Sequence, residues 1–239
     1  YNSYDQCTVP GEVGTPENPV AQVAAGRRHT VALLADGSVT CWGDRDSGQC
    51  YVPIWVGTPA NAVVQVAAGK RHMIALLADG LVTCLGGRDL YNQYDVPDDV
   101  GTSEHPVAEV AAGLNHTVVI LVDGTVACWG DNGSGQCDVP SGIGTPEIPI
   151  AQVAAGAAHS VGLLVDGSIV CWGSNGSGQC DIPSGVGTPA NPVVQVVAGG
   201  NRTVAILADG SVACWGENGA GQCDVPSGIG TPENPVVQV

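Results

Sequence analysis

Phenylalanine is absent from the sequence, methionine occurs once, and only seven residues are lysine or arginine. Against 23 acidic residues, these seven cations leave a formal net charge of −16. Binding to nucleic acid or to an anionic membrane surface depends on clustered cations, so the charge argues against both kinds of partner. Of the 239 residues, 44% are hydrophobic, which is enough to bury a sizeable core.

The sequence also lacks any long apolar run. No window of about 18 uninterrupted apolar residues is present, so we expect no insertion into a membrane. The chain starts at Tyr1, with no methionine and no basic leader region before it. We therefore expect no signal peptide within these residues.

What the sequence does contain is internal repetition. A cysteine, usually followed by Trp-Gly, recurs at intervals of 43, 44, 43 and 43 residues. A histidine precedes it in four units, and Arg202 takes that place in the fifth. The sequence predicts one repeat domain over residues 1–239, with partial units at 1–22 and 217–239 and full units beginning near Val23, Val66, Val110, Val153 and Val196.

Each unit reads as short β-strands. A β-branched run such as VVQVAAG is followed by two apolar runs joined by Asp-Gly, first at Asp36-Gly37. This pair is a strong hairpin signal, and in a type I′ turn both central residues have positive φ. A fourth short extended segment, GQCDVP, follows a glycine-rich turn, and a proline-punctuated connection leads to the next unit.

Four short antiparallel strands in every 43 residues are typical of a β-propeller blade. A helical repeat would show apolar residues at 3.6-residue intervals, which these units do not. We therefore predict an all-β fold, a propeller of four-stranded antiparallel blades. Because the strands alternate in direction, the Gly-x-x-His and Trp-Gly loops should share one end, the histidine-loop end, and the Asp-Gly turns the other, the aspartate-turn end.

The run VAAGRRHTVALLADGSVTCWG, followed by GQC, resembles the repeat of the regulator of chromosome condensation family. That repeat reads roughly Ala-Gly-x-x-His-Thr-x-Ala-Leu, then Asp-Gly, then Trp-Gly-x-Asn-x-x-Gly-Gln. The resemblance covers essentially the whole chain and implies a propeller, typically a seven-bladed one. These compact units are also similar to those of a bacterial β-lactamase-inhibiting propeller of the same superfamily.

The number of repeats does not complete a ring. Residues 217–239 align with residues 1–23, so the chain holds about five full repeats and a duplicated end. A closed ring of seven such units would need about 300 residues. We therefore expect an open or incomplete ring, and a chain that belongs to a longer protein or a larger assembly.

The recurring histidines are candidates for metal binding or catalysis. One histidine per blade would spread the imidazoles around a ring, however, and arginine at position 202 is not a usual zinc ligand. We interpret the histidines as structural and the repeat tryptophans as core residues between blades. With no nucleophile–base pair, paired carboxylates or phosphate-binding loop apparent, we expect no enzyme activity, no metal and no cofactor.

The ten cysteines fit two pairing registers equally well. The within-unit register leaves Cys7 and Cys84 and pairs Cys41–Cys50, Cys128–Cys137, Cys171–Cys180 and Cys214–Cys223. The between-unit register leaves Cys128 and Cys223 and pairs Cys7–Cys41, Cys50–Cys84, Cys137–Cys171 and Cys180–Cys214. We favour the first, because a tight glycine-rich turn places its two flanking segments side by side.

Reduced, buried cysteines remain an alternative to disulfides, whereas the C-x8-C spacing disfavours zinc. Disulfides would indicate an extracellular or secretory-lumen compartment, and free thiols a cytoplasmic one. Four sequons at the histidine-loop end permit N-glycosylation, at Asn115, Asn132, Asn175 and Asn201. Asparagine in the DNGSG loops is also favoured as a turn residue, so its presence there is not in itself evidence of glycosylation.

Departures from the repeat are the best sequence guide to a binding site. On the first two units, cations fill the variable positions before the histidine, and nearby residues extend this basic patch: Arg27, Arg28, Lys70 and Arg71, with Arg45, Arg88 and Tyr91. At the opposite end, an apolar patch replaces the usual Asp, Ser and Gly: Tyr51, Ile54 and Trp55. Drift in edge blades would also explain both patches.

These observations favour a non-enzymatic propeller, a scaffold that binds a protein partner through its loop faces. A basic patch on an acidic molecule suits an acidic partner. An extracellular carbohydrate- or matrix-binding module is the first alternative. Guanine-nucleotide exchange on a small GTPase is the second; the founding family member suggests it, but the repeat motif does not carry the loop residues responsible.

Overall fold

The structure, a computed structural model, describes residues 2–86, 91–231 and 234–238. These residues form 15 strands in five antiparallel sheets of three, one sheet per repeat, which we call blades 1–5. The strands are β1 (Val20–Ala25), β2 (His29–Leu34) and β3 (Val39–Gly43) in blade 1; β4 (Val63–Ala68), β5 (His72–Leu77) and β6 (Val82–Gly86) in blade 2; β7 (Val107–Ala112), β8 (His116–Leu121) and β9 (Val126–Gly130) in blade 3; β10 (Ile150–Ala155), β11 (His159–Leu164) and β12 (Ile169–Gly173) in blade 4; and β13 (Val193–Gly199), β14 (Arg202–Leu207) and β15 (Val212–Gly216) in blade 5.

The same register recurs in every blade. In blade 1, Val20 pairs with Leu34 and His29 pairs with Gly43, and a bulge follows the first residue of β1. A slip by one residue would turn every side chain to the other face of the sheet, so the apolar pattern holds this register.

The core lies between the blades. Met73, Ala75 and Leu77 of β5 pack towards blade 1, whereas Ile74 and Leu76 pack towards blade 3. Successive residues of a strand point to opposite faces, and here both faces are covered. This explains why the middle strands are apolar runs without polar alternation.

The first strand of each blade is the innermost. The loops that follow these strands meet around a central cavity of about 240 Å³, lined mainly by Gly26, Gly69, Gly113, Gly156 and Gly200. Backbone hydrogen bonds join neighbouring loops: Arg27 N donates to Gly69 O at 3.2 Å, and Ala157 N donates to Gly200 O at 2.7 Å. Side chains at the variable loop positions therefore start from the rim of one shared cavity.

The Asp-Gly turns are not the type I′ turns that the sequence predicts. Gly37 has a φ of +83°, but Asp36 is not among the residues with positive φ. Gly37 N donates to Leu34 O, and Leu34 N donates to Ser38 O. The loop thus has three residues, a type I turn followed by a left-handed glycine. This geometry lets the Asp36 carboxylate accept a hydrogen bond from Ser38 N at 2.9 Å.

The fourth strand of the predicted blade is not part of the described sheets, each of which has three strands. The GQC segment forms a turn instead, in which Tyr51 N donates to Gly48 O at 2.9 Å. Pro53 has no N–H to donate to a sheet ladder. The backbone groups that a fourth strand would pair are therefore engaged elsewhere.

One face of blade 1 is open in the part of the chain that the structure describes. Val63 and Val66 of β4 are 3% and 2% exposed, whereas their counterparts on β1, Val20 and Val23, are 39% and 59% exposed. In blade 2 this face is covered by the preceding blade.

None of the described residues belongs to a helix long and apolar enough to cross a membrane.

Candidate functional site

The recurring histidines make buried contacts between blades. His116 Nε2 lies 3.1 Å from Ser160 Oγ, and His159 Nε2 lies 3.1 Å from Thr203 Oγ1. The same contact, at 3.4 Å, joins blades 2 and 3. Ser160 Oγ in turn donates to Gln136 O at 2.8 Å, so the histidine Nε2 carries the proton and donates to the hydroxyl. Three of the four histidines therefore contact the next blade in this way.

Burial keeps these imidazoles neutral. It lowers the pKa of His29, His116 and His159 to about 4 and that of His72 to about 3. Their side chains are at most 1% exposed. A general base must reach its substrate and have a pKa near the working pH, and these histidines meet neither condition.

His29 is the exception to this contact. The position of its hydroxyl partner in blade 2 is occupied by Met73, and neither ring nitrogen of His29 has a hydrogen-bond partner. Met73 is fully buried, so its packing replaces the lost polar contact. In the sequence, this difference is visible at His72-Met73, because the other histidines of the repeat are followed by threonine or serine.

The repeat tryptophans serve the same junctions. Trp42 Nε1 donates to Gln6 O at 3.0 Å, and Thr30 Oγ1 donates to the same carbonyl at 2.8 Å. Trp129 Nε1 donates to Gln93 O at 3.2 Å. The glutamine carbonyl of one repeat thus accepts from the hydroxyl of the next, as Gln136 O and Gln179 O also do. The indole N–H adds to this contact at Gln6 and Gln93, whereas Trp172 Nε1 and Trp215 Nε1 have no hydrogen-bond partner. We call this set of contacts, with the histidine, the interblade clasp.

A glutamine on the innermost strands of blades 1, 2 and 4, with a glutamate in blade 3, forms a second link that the sequence did not lead us to predict. Gln65 Oε1 accepts a hydrogen bond from Val110 N at 3.0 Å, and its Nε2 donates to Val110 O at 3.2 Å. Glu109 stands at the same position in blade 3 and accepts from Val153 N at 3.4 Å. Burial raises the pKa of Glu109 to about 7. The recurrence of glutamine at this position, with one glutamate, was the available signal.

Three disulfides follow the within-unit register: Cys41–Cys50, Cys171–Cys180 and Cys214–Cys223. The expected Cys128–Cys137 bridge is absent, and both residues are free thiols. Cys128 Sγ donates to Gln136 O at 3.5 Å, and Cys137 Sγ donates to Asp131 O at 3.7 Å. The sulfur atoms of the bridged Cys171 and Cys180 lie near the equivalent carbonyl oxygens, so these contacts are common to the reduced and the bridged loops.

The second repeat has no partner cysteine, and Tyr94 takes its place. The Tyr94 hydroxyl donates to Arg71 O at 2.8 Å, and its ring meets His72 edge-on at 6.2 Å between centroids. Outside the disulfides, Cys84 is half-buried and Cys7 is exposed.

Asparagines at the sequons hold the loops closed. Asn132 Nδ2 donates to Asp138 Oδ1 at 2.8 Å, and Asn132 Oδ1 accepts from Cys137 N at 2.9 Å. Asn218, which is not in a sequon, makes the same two bonds with its own loop. The turn therefore needs this asparagine independently of glycosylation. Asn175 repeats this pattern, Asn201 Nδ2 donates to Glu217, and Asn115 is half-buried.

The structure places Arg27 and Arg28 on one loop and Lys70 on the neighbouring loop of the next blade. The exposed Arg27 lines the central cavity. Arg28 lies over the Tyr4 ring, 4.7 Å from its centroid, and its Nη1 is 4.0 Å from Asp44 Oδ2. Lys70 is half-buried on the neighbouring loop, where its backbone N donates to Leu114 O at 3.0 Å.

The remaining candidates are spread more widely. Arg71 is half-buried, Arg45 is exposed, and Tyr91 is 44% exposed. Arg88 lies outside the described residues. The residues of the apolar patch, Tyr51, Ile54 and Trp55, are 72%, 95% and 46% exposed.

No group of three or more metal-ligating side chains occurs within residues 2–86, 91–231 and 234–238.

The model of the regulator of chromosome condensation (RCC1) repeat matches residues 20–49, 107–136, 150–179 and 193–222. The chain belongs to the RCC1 repeat family. The matched segments contain the clasp histidine or Arg202, the Trp-Gly and the Gly-Gln. The second repeat, which has Leu85 in place of the tryptophan, is not among them.

Solved structures with RCC1-like propellers share the fold. The CRINKLY WD40 ectodomain of the receptor kinase ACR4 from Arabidopsis thaliana has a TM-score of 0.69 and 26% identity, over 96% of this chain and 76% of that one. Yeast RCC1 (Prp20) bound to Kap60 has a TM-score of 0.68 and 21% identity, over 87% and 58%. A second Prp20p structure, from Saccharomyces cerevisiae, has a TM-score of 0.65 and 24% identity, over 84% and 58%. No curated protein matches the sequence.

The RCC1 repeat accounts for the clasp but not for the basic patch. The clasp residues recur because every blade needs the same junction. Arg27, Arg28, Lys70 and Arg71 instead occupy the two loop positions that differ between repeats. Specific recognition is therefore to be sought at these variable positions.

Proposed function

We propose that this RCC1-repeat protein is a non-enzymatic interaction module that binds an acidic protein surface through the basic patch. The observation that carries the proposal is the arrangement of two neighbouring loops. Arg27 N donates to Gly69 O at 3.2 Å, which joins the loop bearing Arg27 and Arg28 to the loop bearing Lys70 and Arg71. Four cations are therefore carried by two joined loops of adjacent blades, and Arg27 among them lines the central cavity.

The Arg28 side chain is already ordered by contacts within this chain. Its guanidinium packs on Tyr4 and lies near Asp44, yet its side chain is still 44% exposed. An arginine that is already ordered loses less side-chain entropy on binding. Its planar donors suit carboxylates, with which arginine forms paired hydrogen bonds.

The non-enzymatic part of the proposal draws on the histidines. They are titratable groups that recur in four of the five repeats, and the clasp buries them in neutral form. Their role in joining blades accounts for their recurrence without any catalytic function. The similar yeast protein Prp20 binds proteins, namely Kap60, Gsp1p and histones, and this supports a protein as the class of partner.

Affinity capture from a lysate tests the proposal. The variant R27E/R28E/K70E/R71E should lose the acidic proteins that the parent captures, because four attractions become repulsions. The matched control, Y51D/I54S/W55G, restores repeat residues at the opposite end and should keep them. Circular dichroism must show that both variants are folded. An unchanged set of captured proteins in the first variant rules out the basic patch as the binding site.

An extracellular carbohydrate- or matrix-binding module is the second candidate. The three disulfides and the 26% identity to a receptor-kinase ectodomain favour it. Binding to a glycan or matrix-protein array, without dependence on the four cations, would favour it over the first. Guanine-nucleotide exchange has no supporting observation of its own, since identities of 21% and 24% to Prp20 indicate the fold alone.

We also propose that the five blades form an open arc. The support is the exposure of Val20 and Val23 on β1, at 39% and 59%. In a closed ring of these five blades, blade 5 would cover both valines.

A further inference from the structure

The aspartate-turn end has the opposite character to the basic patch. Of the lysines and arginines in the described part of the chain, all belong to loops or strand ends on the histidine-loop side. Each blade presents an exposed aspartate at the other end: Asp36, Asp79, Asp123, Asp166 and Asp209. The exposed His105, whose charge acts on Asp123, also belongs to this end.

Blades 3 and 4 add apolar side chains to this acidic end. Val122 and Val165 are 66% and 70% exposed, and the other three blades have alanine at this position. Ile148 is 44% exposed where other repeats have asparagine or histidine. In blade 1 that asparagine, Asn18, accepts a hydrogen bond from the Asp36 amide at 3.2 Å. Ile148 has no side-chain oxygen to accept this hydrogen bond. An exposed apolar side chain therefore takes the place of the polar contact.

These three departures border two adjoining cavities. One, of about 480 Å³, includes Val122, Asp123 and Pro149 in its lining, with Glu109 nearby in the same wall. The other, of about 470 Å³, is lined by Glu147, Ile148, Pro149, Leu164, Val165 and Asp166. Pro149 belongs to both. We call the pair, with Val122, Ile148 and Val165, the aspartate-end groove.

We propose that the aspartate-end groove binds a short segment of another protein in which aliphatic residues are flanked by lysine or arginine. The aliphatic side chains enter the two cavities on either side of Pro149 and cover the exposed valines and isoleucine. The flanking cations meet Asp123, Glu147 and Asp166, which are all exposed and border the cavities. Charge complementarity commits the occupant to a basic segment, since the charged residues that line the two cavities are carboxylates.

The groove is separate from the basic patch. It lies on blades 3 and 4 at the opposite end, and its charge has the opposite sign. The inference therefore goes beyond the proposed function, and each can fail without the other. Together they describe a module with two faces for two different partners.

A pair of labelled peptides tests the groove. The first probe is the blocked peptide Gly-Lys-Leu-Leu-Arg-Lys-Gly, and the second replaces both leucines by glycine. Fluorescence anisotropy with the whole chain should give binding of the first probe about tenfold tighter than of the second. Raising the salt from about 50 to about 300 mM should weaken binding of the first probe, because the ion pairs are exposed.

The variant V122A/I148N/V165A supplies the matched comparison. Each replacement is the residue that other repeats carry at that position, so the fold should be retained. It should bind the leucine probe about tenfold more weakly than the parent. The basic-patch variant R27E/R28E/K70E/R71E should bind it at least as well as the parent.

Three results would overturn the inference. Equal binding of the two probes would mean that charge alone attracts them. Undiminished binding to V122A/I148N/V165A would place the peptide elsewhere. A dimer in light scattering that I148N alone converts to monomer would make a second copy of the chain the occupant.

Discussion

His159 Nε2 lies 3.1 Å from Thr203 Oγ1 on the next blade, and the Thr203 hydroxyl donates to Gln179 O at 2.9 Å. One buried hydroxyl thus satisfies two polar groups of the preceding repeat. The Gly-x-x-His, Thr or Ser, and Gly-Gln parts of the RCC1 motif meet in this contact, although they lie far apart in sequence. The motif therefore describes a junction between blades rather than a feature of one blade.

Removing this hydroxyl should destabilise the fold. Thr203→Val keeps the shape but leaves His159 and Gln179 O without a partner, which should lower the free energy of unfolding by about 2 kcal/mol. Urea unfolding followed by circular dichroism measures the change. Thr83→Val is the control, because Val170 stands at the equivalent position of blade 4. Equal losses in both variants would contradict a role for the clasp.

The buried histidines should make stability depend on pH. Their native pKa values, about 3 to 4, are below the ordinary value of 6.5. Between pH 6.5 and about 4 the unfolded chain binds more protons than the native one, so the free energy of unfolding falls as the pH falls through this window. Each histidine contributes about 3 kcal/mol over the full window. Urea unfolding at several pH values should show that His159→Gln has a shallower pH dependence than the parent; an unchanged slope would contradict the prediction.

Glu109 should give the free energy of unfolding the opposite dependence on pH. Burial raises its pKa from 4.5 to about 7, so between these values the native chain binds more protons, and stability is lost as the pH rises. Glu109→Gln should therefore stabilise the protein by about 2 kcal/mol at pH 8 and much less at pH 4. The reverse change at the equivalent position, Gln65→Glu, should destabilise at pH 8. Stabilisation by Glu109→Gln that is equal at both pH values would show that its ionisation is not the cause.

Alkylation without reduction should modify four cysteines, Cys7, Cys84, Cys128 and Cys137. Cys7 should react first because it is exposed, and Cys128 should react slowly because burial raises the pKa of its thiol. Intact mass and peptide mapping provide the measurement. Two modified cysteines would mean that Cys128 and Cys137 are bridged, and ten would exclude disulfides.

Removing one bridge, as in C171S/C180S, should lower the free energy of unfolding by about 2–3 kcal/mol.

The proposal of an open arc predicts uneven protection of the innermost strands. Amides of β1 should exchange with deuterium faster than the equivalent amides of β4, because no blade covers Val20 and Val23. Hydrogen-exchange mass spectrometry compares the two peptides within one sample. Equal protection would mean that blade 1 is covered in solution.

Much of the fold can be predicted from the sequence, because its signals are local and repeated five times. The Asp-Gly pairs mark the hairpins, and the glycine-rich turn between the cysteines favours the register seen at Cys41–Cys50, Cys171–Cys180 and Cys214–Cys223. The turn type was predicted wrongly, because Asp-Gly also fits a three-residue loop in which glycine alone has positive φ. The fourth strand was expected from its length and composition, but its Gln carbonyl faces the next blade instead of a sheet neighbour.

By itself, the sequence determined the period, the strands, and the end of the molecule to which each loop belongs, since these depend on neighbours along the chain. Only the tertiary structure decided which hydroxyl each histidine meets and that Met73 leaves His29 without one. It also brought Val122, Ile148 and Val165 to one groove from three separate positions. Such contacts join residues about one repeat apart, and their distances follow from how blades pack rather than from any local pattern.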